Sequence, residues 1–353
     1  MPINTDYYHI GTTDLLIYTP DLLVYYLIDC QQRNQKPVIN FLFESACCKT
    51  IGLYKLLDFF CKIYNYSPEN ITIITANLVE QHDRYSIVRE LDDWGEITKI
   101  QKWAVNNSIG WTTHPQKHFG SFIGRSSWDR LWIAAILKKY YADKSLQTFH
   151  TGLNHNYYVN PQDGVDILGL DDLNTFNCDE LPAVINFIQQ CPLIISNDDI
   201  LEITNQQTVV PNTNQGCYPI YHPSNLAVLK YYPNIFVDIV NESRVSGDNF
   251  FLSEKTWRPI VARRPFILMA PRDSIANLKK LGFKTFENFW SEDYDGYPCQ
   301  DRLKQIITIL NTISTWSQQE LHEKLQQMKP ILDHNYKIFM SLTNNKIKLT
   351  YDC

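Results

Sequence analysis

The sequence predicts an α/β protein of two domains, each a parallel sheet covered by helices, and three observations support this prediction. The chain has 353 residues, a length that suggests two domains of ordinary size. Hydrophobic residues make up 44% of it and charged residues 20%, as in globular proteins with a large core. Short runs rich in β-branched residues alternate with stretches of helical spacing, which favours parallel sheets with right-handed crossovers.

In the first half, short apolar runs predict strands, and apolar residues at helical spacing predict helices. Pro37, for example, precedes a continuous apolar run that suits a buried parallel strand. The predicted strands are residues 38–43, 70–75, 97–104 and 121–125. The predicted helices are residues 51–64, 83–91 and 131–141.

The second half repeats this pattern after a stretch rich in Asn, Asp, Gln and Pro. Gly282 suits the end of one helix, Ser317 and Glu320 form a capping box that opens the last one, and Pro330 should kink it. The predicted strands are residues 235–240 and 265–269, and the predicted helices are 181–190, 253–262, 274–281, 302–313 and 317–340. The predicted division is an N-terminal domain over 1–160, a crossing segment over 161–225 and a C-terminal domain over 226–353.

Charge and cysteine content indicate the kind of protein. With 32 basic and 38 acidic residues the net charge is −6, so the chain lacks the global positive field of a dedicated nucleic-acid binder. Its most apolar early stretch, 15–28, is interrupted by Pro20 and Asp21 and is shorter than the roughly 20 residues of a membrane span. Nine cysteines without a C-x-x-C pair, and no leader-like start, favour the cytoplasm, or the host cytoplasm for a viral protein.

The most informative stretch is a predicted strand that ends at Asn241 and Glu242, followed by a polar loop and a helix that begins near Ser253. In open α/β sheets, ligands bind beyond the carboxyl ends of the strands, and a helix N-terminus there attracts anions. Lys255 adds a mobile positive charge, and the Glu254 carboxylate can accept hydrogen bonds from both ribose hydroxyls. The pattern therefore fits a nucleoside diphosphate, although an ordinary helix start with exposed charges fits the spacing as well.

The residues of this stretch also resemble a known family. Phe251-Leu252-Ser253-Glu254-Lys255 resembles the Tyr-x-Thr-Glu-Lys signature of α-1,3-fucosyltransferases and related GT-B glycosyltransferases. Its continuation resembles bacterial and viral glycosyltransferases of that type over residues 265–267, 278–286 and 292–295. The likeness covers about 235–310 and extends more weakly to 122–137. Phe251 and Ser253 replace the usual Tyr and Thr, which leaves the sugar open.

The resemblance implies a GT-B-like α/β fold, with two Rossmann-like domains facing a central cleft. Residues 1–160 would then be the acceptor side, and 226–353 would hold the nucleotide-sugar, a co-substrate rather than a cofactor. By motif, Glu254 would bind the ribose, and Lys255 with Arg130 or Arg125 would bind the pyrophosphate. Asn241, Glu242 and Ser253 complete the predicted nucleotide-binding set.

Transfer from such a donor needs positive charge near the leaving diphosphate, from a divalent metal or from Lys and Arg. No acidic pair stands as a clear Asp-x-Asp at a predicted strand end, so the sequence favours a metal-independent route through Lys255 and Arg130. The acidic pairs considered as metal ligands are Asp92-Asp93, Asp171-Asp172, Asp198-Asp199 and Asp293-Tyr294-Asp295.

An inverting transfer also needs a base that takes the proton of the acceptor hydroxyl. Glu44 directly follows the predicted strand 38–43, at a carboxyl end where site residues gather. His114 and His118 are rival bases, and a helix cap or surface ion pair is an equally good role for Glu44. A retaining enzyme would need no such base, so the stereochemistry stays open. The predicted catalytic residues are Glu44, Arg130 and Lys255.

Three functions follow, the first being a cytoplasmic glycosyltransferase that moves a sugar from a nucleotide-sugar to a hydroxyl acceptor on a glycan or another molecule. The second is a phage-type enzyme that acts on a modified DNA base. Its acceptor groove would be lined by Lys99, Lys102, His114, Lys117 and His118. The third is a nucleotide-sugar-binding protein that kept the fold and lost turnover.

Overall fold

The chain divides into two units, each built around a sheet of its own. Unit 1 comprises Met1–Gly95, Ser246–Leu252 and Thr343–Cys353, and unit 2 comprises Glu96–Val245 and Ser253–Leu342. The computed structural model describes residues 8–9, 20–41, 48, 52–91, 96–106, 111–123, 128–149, 181–191, 193, 195, 226–242, 245, 247 and 249–342.

Unit 1 contains a parallel four-stranded sheet in the order β1-β2-β3-β4. Its elements are β1 (Tyr8–His9), α1 (Pro20–Gln32), β2 (Val38–Phe41), α2 (Leu53–Tyr64), β3 (Thr72–Thr75) and β4 (Ser86–Arg89). Helix α2 forms because Leu53, Leu57 and Phe60 recur at helical spacing and give it one fully buried face. That face packs in one cluster with Leu27 of α1 and Ile73 of β3, which is the core of the unit.

Unit 2 contains a second parallel four-stranded sheet, in the order β6-β5-β7-β8. Its first half is α3 (Glu96–Asn106), β5 (Lys117–Ile123), α4 (Trp128–Tyr141), β6 (Ser145–Phe149) and α5 (Leu181–Gln189). Its second half is β7 (Ile235–Asn241), α6 (Glu254–Val261), β8 (Phe266–Met269), α7 (Ser274–Lys280), α8 (Cys299–Ser314) and α9 (Gln318–Ser341). All seven residues of β7 are buried, as expected of an interior parallel strand.

The order of these strands reverses direction once. The chain goes from β5 to its neighbour β6 on one side, and then returns to place β7 on the other side of β5. Strand β8 continues in that second direction. The carboxyl ends of β5 and β7 therefore meet at a topological switch point, which is the usual ligand position in doubly wound α/β sheets.

The predicted α/β class is confirmed, with two parallel sheets and helices between the strands, and most predicted elements of the second half are found. Ser317 caps α9 in the predicted capping box, and α9 continues through Pro330. Gly282 has φ of 90° just after α7, a conformation that favours glycine. Among the described residues, no helix is both long and apolar enough to cross a bilayer.

Two predicted elements of the first half are wrong. The helix predicted over 83–91 is strand β4, which pairs in parallel register with β3, because sheet pairing outweighs a weak local helical pattern. The strand predicted over 97–104 is helix α3. Its buried Ile97 and Ile100 lie three positions apart, which is helical spacing despite the β-branched side chains.

The observed units also differ from the predicted division at residue 160. Strands β5 and β6 pair with each other, and β5 pairs with β7, so residues 117–149 belong to the same sheet as β7 and β8. Unit 1 ends at Gly95 in its first stretch and regains short segments near 250 and after 342. Most of the predicted crossing segment 161–225 lies outside the described residues.

Candidate functional site

The candidate site lies at the carboxyl end of β7, at the switch point of unit 2. Strand β7 ends at Asn241, Glu242 follows it, and α6 begins at Glu254 with Ser253 as its N-cap. The Ser253 hydroxyl accepts a hydrogen bond from the Lys255 backbone N–H at 3.2 Å, which is the standard capping contact. The predicted helix start is thus confirmed, and it places Glu254 and Lys255 in the first turn.

Both oxygens of the Glu242 carboxylate are occupied within this loop. Oε1 accepts from the Ser253 backbone N–H at 3.1 Å and from the Thr256 hydroxyl at 2.6 Å. Oε2 accepts from the Ser253 hydroxyl at 2.6 Å, and the residue is only 1% exposed. Glu242 therefore holds the first turn of α6 against the end of β7, while its predicted contact with a nucleotide stays a prediction.

Glu254 and Lys255 form an ion pair, with Lys255 Nζ 2.8 Å from Glu254 Oε1. Their side chains are 8% and 18% exposed, so the pair is largely shielded from water. Lys255 Nζ also donates to the Ser253 hydroxyl at 3.1 Å. The two residues assigned to the ribose and the diphosphate thus lie together, and each neutralises the charge of the other.

Two arginines connect β5 and β7 at the switch point, since each lies in the helix that follows one strand and donates a hydrogen bond to the carboxyl end of the other strand. Arg130, in the helix that follows β5, donates from Nη2 to the Glu242 carbonyl oxygen at the end of β7, at 2.8 Å. Arg258, in the helix that follows β7, donates from Nη2 to the Phe122 carbonyl oxygen near the end of β5, at 3.3 Å. Both guanidinium groups are buried and bring fixed positive charge to this edge of the sheet.

A buried carboxyl group lies beneath α6 in the middle of β7. The Tyr232 hydroxyl donates to Asp238 Oδ2 at 2.5 Å, and Asp238 is 2% exposed. Burial raises the pKa of Asp238 to about 6, while the positive charge of Arg258 and the Tyr232 hydrogen bond act in the opposite direction. The charge of Arg258 therefore helps to balance a carboxylate that would otherwise be costly to bury.

Asn241, the last residue of β7, has a buried amide that is only half used. Its Nδ2 donates to the Ile239 carbonyl oxygen at 3.0 Å. Its Oδ1 has no hydrogen-bond partner among the described residues, and the residue is 4% exposed. An unsatisfied buried acceptor costs about 1–3 kcal/mol, so Oδ1 is suited to accept a hydrogen bond from a ligand hydroxyl.

The other predicted site residues are two that the structure does not describe and two rival bases in unit 2. Glu44 and Arg125 lie outside the described residues. His118, predicted as a rival base on the acceptor side, belongs to unit 2, where Nε2 is 2.8 Å from the Trp316 carbonyl oxygen and burial lowers its pKa. His114, also in unit 2, stacks on His322 with the ring centroids 4.2 Å apart.

The acidic pair Asp293 and Asp295 has a structural role. Asp295 accepts from the backbone N–H groups of Ile275 and Ala276 at 2.9 and 3.0 Å, and so caps the start of α7. Asp293 Oδ2 accepts from the Ser291 hydroxyl at 2.8 Å. The other acidic pairs, at 92–93, 171–172 and 198–199, lie outside the described residues. In the part of the chain that the structure describes, no group of three or more His, Cys, Asp or Glu side chains is placed to hold a metal.

The side chains considered for a DNA groove have different environments. Lys99 and Lys102 lie on α3. Lys117 Nζ donates to the Asp143 carbonyl oxygen at 2.6 Å, while His118 is buried against Trp316. None of these contacts groups the five side chains into one surface.

Two residues of the site were missed in the sequence. Thr256 fixes the Glu242 carboxylate, and Arg258 binds the end of β5. A signal for each was present, since Thr256 is a hydroxyl residue in the first turn of the helix and Arg258 follows Glu254 by one helical turn. Their partners could not be predicted, because the sequence does not show which helix contacts Glu242 or Phe122.

Comparisons of the chain with protein-family models, with curated proteins and with solved structures gave no match. Any assignment of function therefore rests on the residues of this sequence and on the geometry of unit 2.

Proposed function

We propose that this protein is a glycosyltransferase of the GT-B type that moves a sugar from a nucleotide-sugar to a hydroxyl acceptor. The nucleotide would lie at the switch point of unit 2, with its ribose on Glu254 and its diphosphate near Lys255. Arg130 would add fixed positive charge from the helix that follows β5. The proposal needs no metal, because these cations can balance the charge of the leaving group.

The observation that carries the proposal is the position of the Glu254–Lys255 pair. It stands in the first turn of a helix that begins at the carboxyl end of β7, beside the point where the strand order reverses. This is where nucleotides bind in doubly wound sheets. The 2.8 Å pair offers one carboxylate and one ammonium at adjacent positions, which suits a ligand with a diol next to a diphosphate. The resemblance to the fucosyltransferase signature falls on the same residues.

The chemistry that these groups support is departure of a nucleoside diphosphate. As the glycosidic bond breaks, negative charge grows on the leaving phosphate oxygen, and a Lys255 ammonium held near it stabilises that charge. A charged donor in a site shielded from water stabilises the transition state more than the ground state, and such donors contribute about 10²–10³-fold in rate. Glu44 remains the proposed base for an inverting transfer.

The test is an assay of donor hydrolysis and transfer with a panel of UDP-, GDP-, CMP- and dTDP-sugars. Lys255→Met should lower the rate with the cognate donor by about 10²-fold, since it removes the cation next to the leaving group. Lys304→Met is the matched control, because Lys304 lies in the same unit in an exposed ion pair with Asp301.

Full activity of Lys255→Met would contradict the assignment of the site. Tight binding of a nucleotide-sugar with no product from any acceptor would instead favour the non-catalytic binding protein.

A further inference from the structure

The Glu254–Lys255 ion pair is held in place by its surroundings. Lys255 Nζ lies 2.8 Å from Glu254 Oε1 and 3.1 Å from the Ser253 hydroxyl oxygen. That hydroxyl is itself fixed, because it donates to Glu242 at 2.6 Å. The ammonium therefore already has oxygen partners in a site where its side chain is 18% exposed.

A diphosphate that uses Lys255 must draw the ammonium away from Glu254. The carboxylate would then remain with little water around it, since the Glu254 side chain is 8% exposed. Breaking one side of a shielded ion pair is unfavourable, because the remaining charge is poorly solvated. The incoming phosphate would also repel the same carboxylate. A diphosphate without further groups should consequently bind weakly here.

A ribose diol removes that cost. Two vicinal hydroxyls can donate two hydrogen bonds to one carboxylate, and bonds to a charged acceptor are among the stronger ones in proteins. The Lys255 ammonium pairs with Oε1 of Glu254, and that oxygen becomes available when Lys255 leaves. The ribose hydroxyls thus replace Lys255 as the partner of Glu254, and the diphosphate replaces Glu254 as the partner of Lys255.

We propose that the Glu254–Lys255 pair makes binding of the diphosphate conditional on both ribose hydroxyls, so that the site selects ribonucleoside diphosphates. It discriminates against deoxyribonucleotides, including dTDP-linked donors, and against free pyrophosphate. This inference rests on the proposed function and deepens it by naming the nucleotide class.

The proposal predicts opposite changes in two affinities when the carboxylate is neutralised. In Glu254→Gln, Lys255 loses this anionic partner and the Glu254 carboxylate no longer repels the phosphate, so inorganic pyrophosphate should bind about five- to tenfold more tightly. UDP or GDP should bind about tenfold more weakly, because the hydroxyls lose a charged acceptor. A Glu254 that contacted only the ribose, and neither paired with Lys255 nor repelled the phosphate, would leave the affinity for pyrophosphate unchanged.

The experiment is isothermal titration calorimetry of the full chain with UDP, GDP, their 2′-deoxy and 2′,3′-dideoxy forms, and inorganic pyrophosphate. The wild-type chain should prefer the ribonucleotide over the dideoxy form by at least about tenfold, and Glu254→Gln should reduce this preference to less than about threefold. Asp301→Asn removes a carboxylate from an exposed ion pair in the same unit and should change none of these values.

Separate results overturn the inference and the proposed function. If the wild-type chain binds UDP or GDP but binds the dideoxy forms equally well, the inference is wrong and the proposed function stands. The same holds if Glu254→Gln folds, as judged by circular dichroism, and does not gain affinity for pyrophosphate. If no nucleoside diphosphate binds the wild-type chain, the proposed function fails and the inference fails with it. The wild-type comparison is informative even if the variant does not fold.

Discussion

Each sheet places a buried carboxylate beyond the carboxyl end of one of its strands, and the two carboxylates are used alike. Glu80, after β3 in unit 1, accepts from the Cys48 backbone N–H, the Tyr54 hydroxyl and Asn77 Nδ2 at 3.1, 2.8 and 2.9 Å. Glu242, after β7 in unit 2, accepts three hydrogen bonds from Ser253 and Thr256. Both residues are at most 5% exposed. A buried, well-bonded carboxylate is therefore no sign of a ligand by itself.

The two sheet edges differ in strand order and in what lies next to the carboxylate. The described strands of unit 1 follow chain order, whereas those of unit 2 reverse beside β5. In unit 2 a largely shielded ion pair follows the buried carboxylate, at Glu254 and Lys255, whereas the ion pair that follows Glu80, between Arg84 and Asp58, is exposed. An ion pair in the first turn of a helix at the switch point can exchange its partners for those of a ligand, while these contacts of Glu80 hold a loop.

The most direct test of this difference removes each buried carboxylate in turn. Glu242→Ala and Glu80→Ala each leave three buried donors without their carboxylate acceptor, and each should lower the free energy of unfolding by about 3–5 kcal/mol. Urea denaturation followed by circular dichroism measures this loss.

The same two variants should differ in nucleotide affinity. Glu242→Ala should abolish binding of the cognate nucleotide because the first turn of α6 loses its anchor, while folded Glu80→Ala should retain wild-type affinity. Equal loss of binding in both variants, at a temperature where both are folded, would contradict the functional difference between the two edges.

A second test uses pH to probe the buried charge of Asp238 under α6. Because burial raises the folded-state pKa of Asp238 from 3.8 to about 6, the folded chain holds this proton more tightly than the unfolded chain. The stability that this proton contributes is present below about pH 4 and is lost as the pH rises through about 6. Asn does not titrate, so Asp238→Asn should gain about 3 kcal/mol relative to wild type between about pH 4 and pH 8.

Chemical denaturation of both proteins across this pH range gives the difference. A difference that does not change with pH would mean that Asp238 stays charged in the folded chain, with Arg258 fully compensating its burial.

The smallest expected effect is the difference in stability between two variants that each remove a serine N-cap in unit 2. Ser253→Ala removes a cap and also deprives Glu242 Oε2 of the Ser253 hydroxyl in a buried site, so it should cost about 2 kcal/mol. Ser317→Ala removes an exposed cap of α9 and should cost about 1 kcal/mol. Thermal unfolding of the two variants should rank them in this order, and equal losses would indicate that the Glu242 contact adds little.

Sequence patterns predicted the features of the fold that depend on residues only a few positions apart. The end of β7, the Ser253 cap and the capping box at Ser317 were all readable, because the chemistry of a helix start involves residues only a few positions apart. The roles of Glu242 and Arg130 were not readable, since each depends on a contact with a residue 11 or more positions away.

The remaining differences concern the type of two short elements, one missed helix and the division into units. Strand β4 and helix α3 were interchanged in type because short apolar segments fit either pattern. Helix α1 was missed although it begins at Pro20, a residue that is favoured at the first position of a helix. The observed units differ from the predicted division because sequence does not reveal that β5 pairs with β7, more than a hundred residues later.

The chain order of unit 1 has a consequence for its synthesis. Asn77 Oδ1 and the Leu78 backbone N–H bond to the backbone of Phe250, which is 173 positions after Asn77. A ribosome that adds about 5–20 residues per second needs roughly 10–30 s to reach Phe250 after it has synthesised the loop that contains Asn77. During this interval the loop after β3 lacks its contact with Phe250, so a nascent chain would depend on chaperones to avoid premature association.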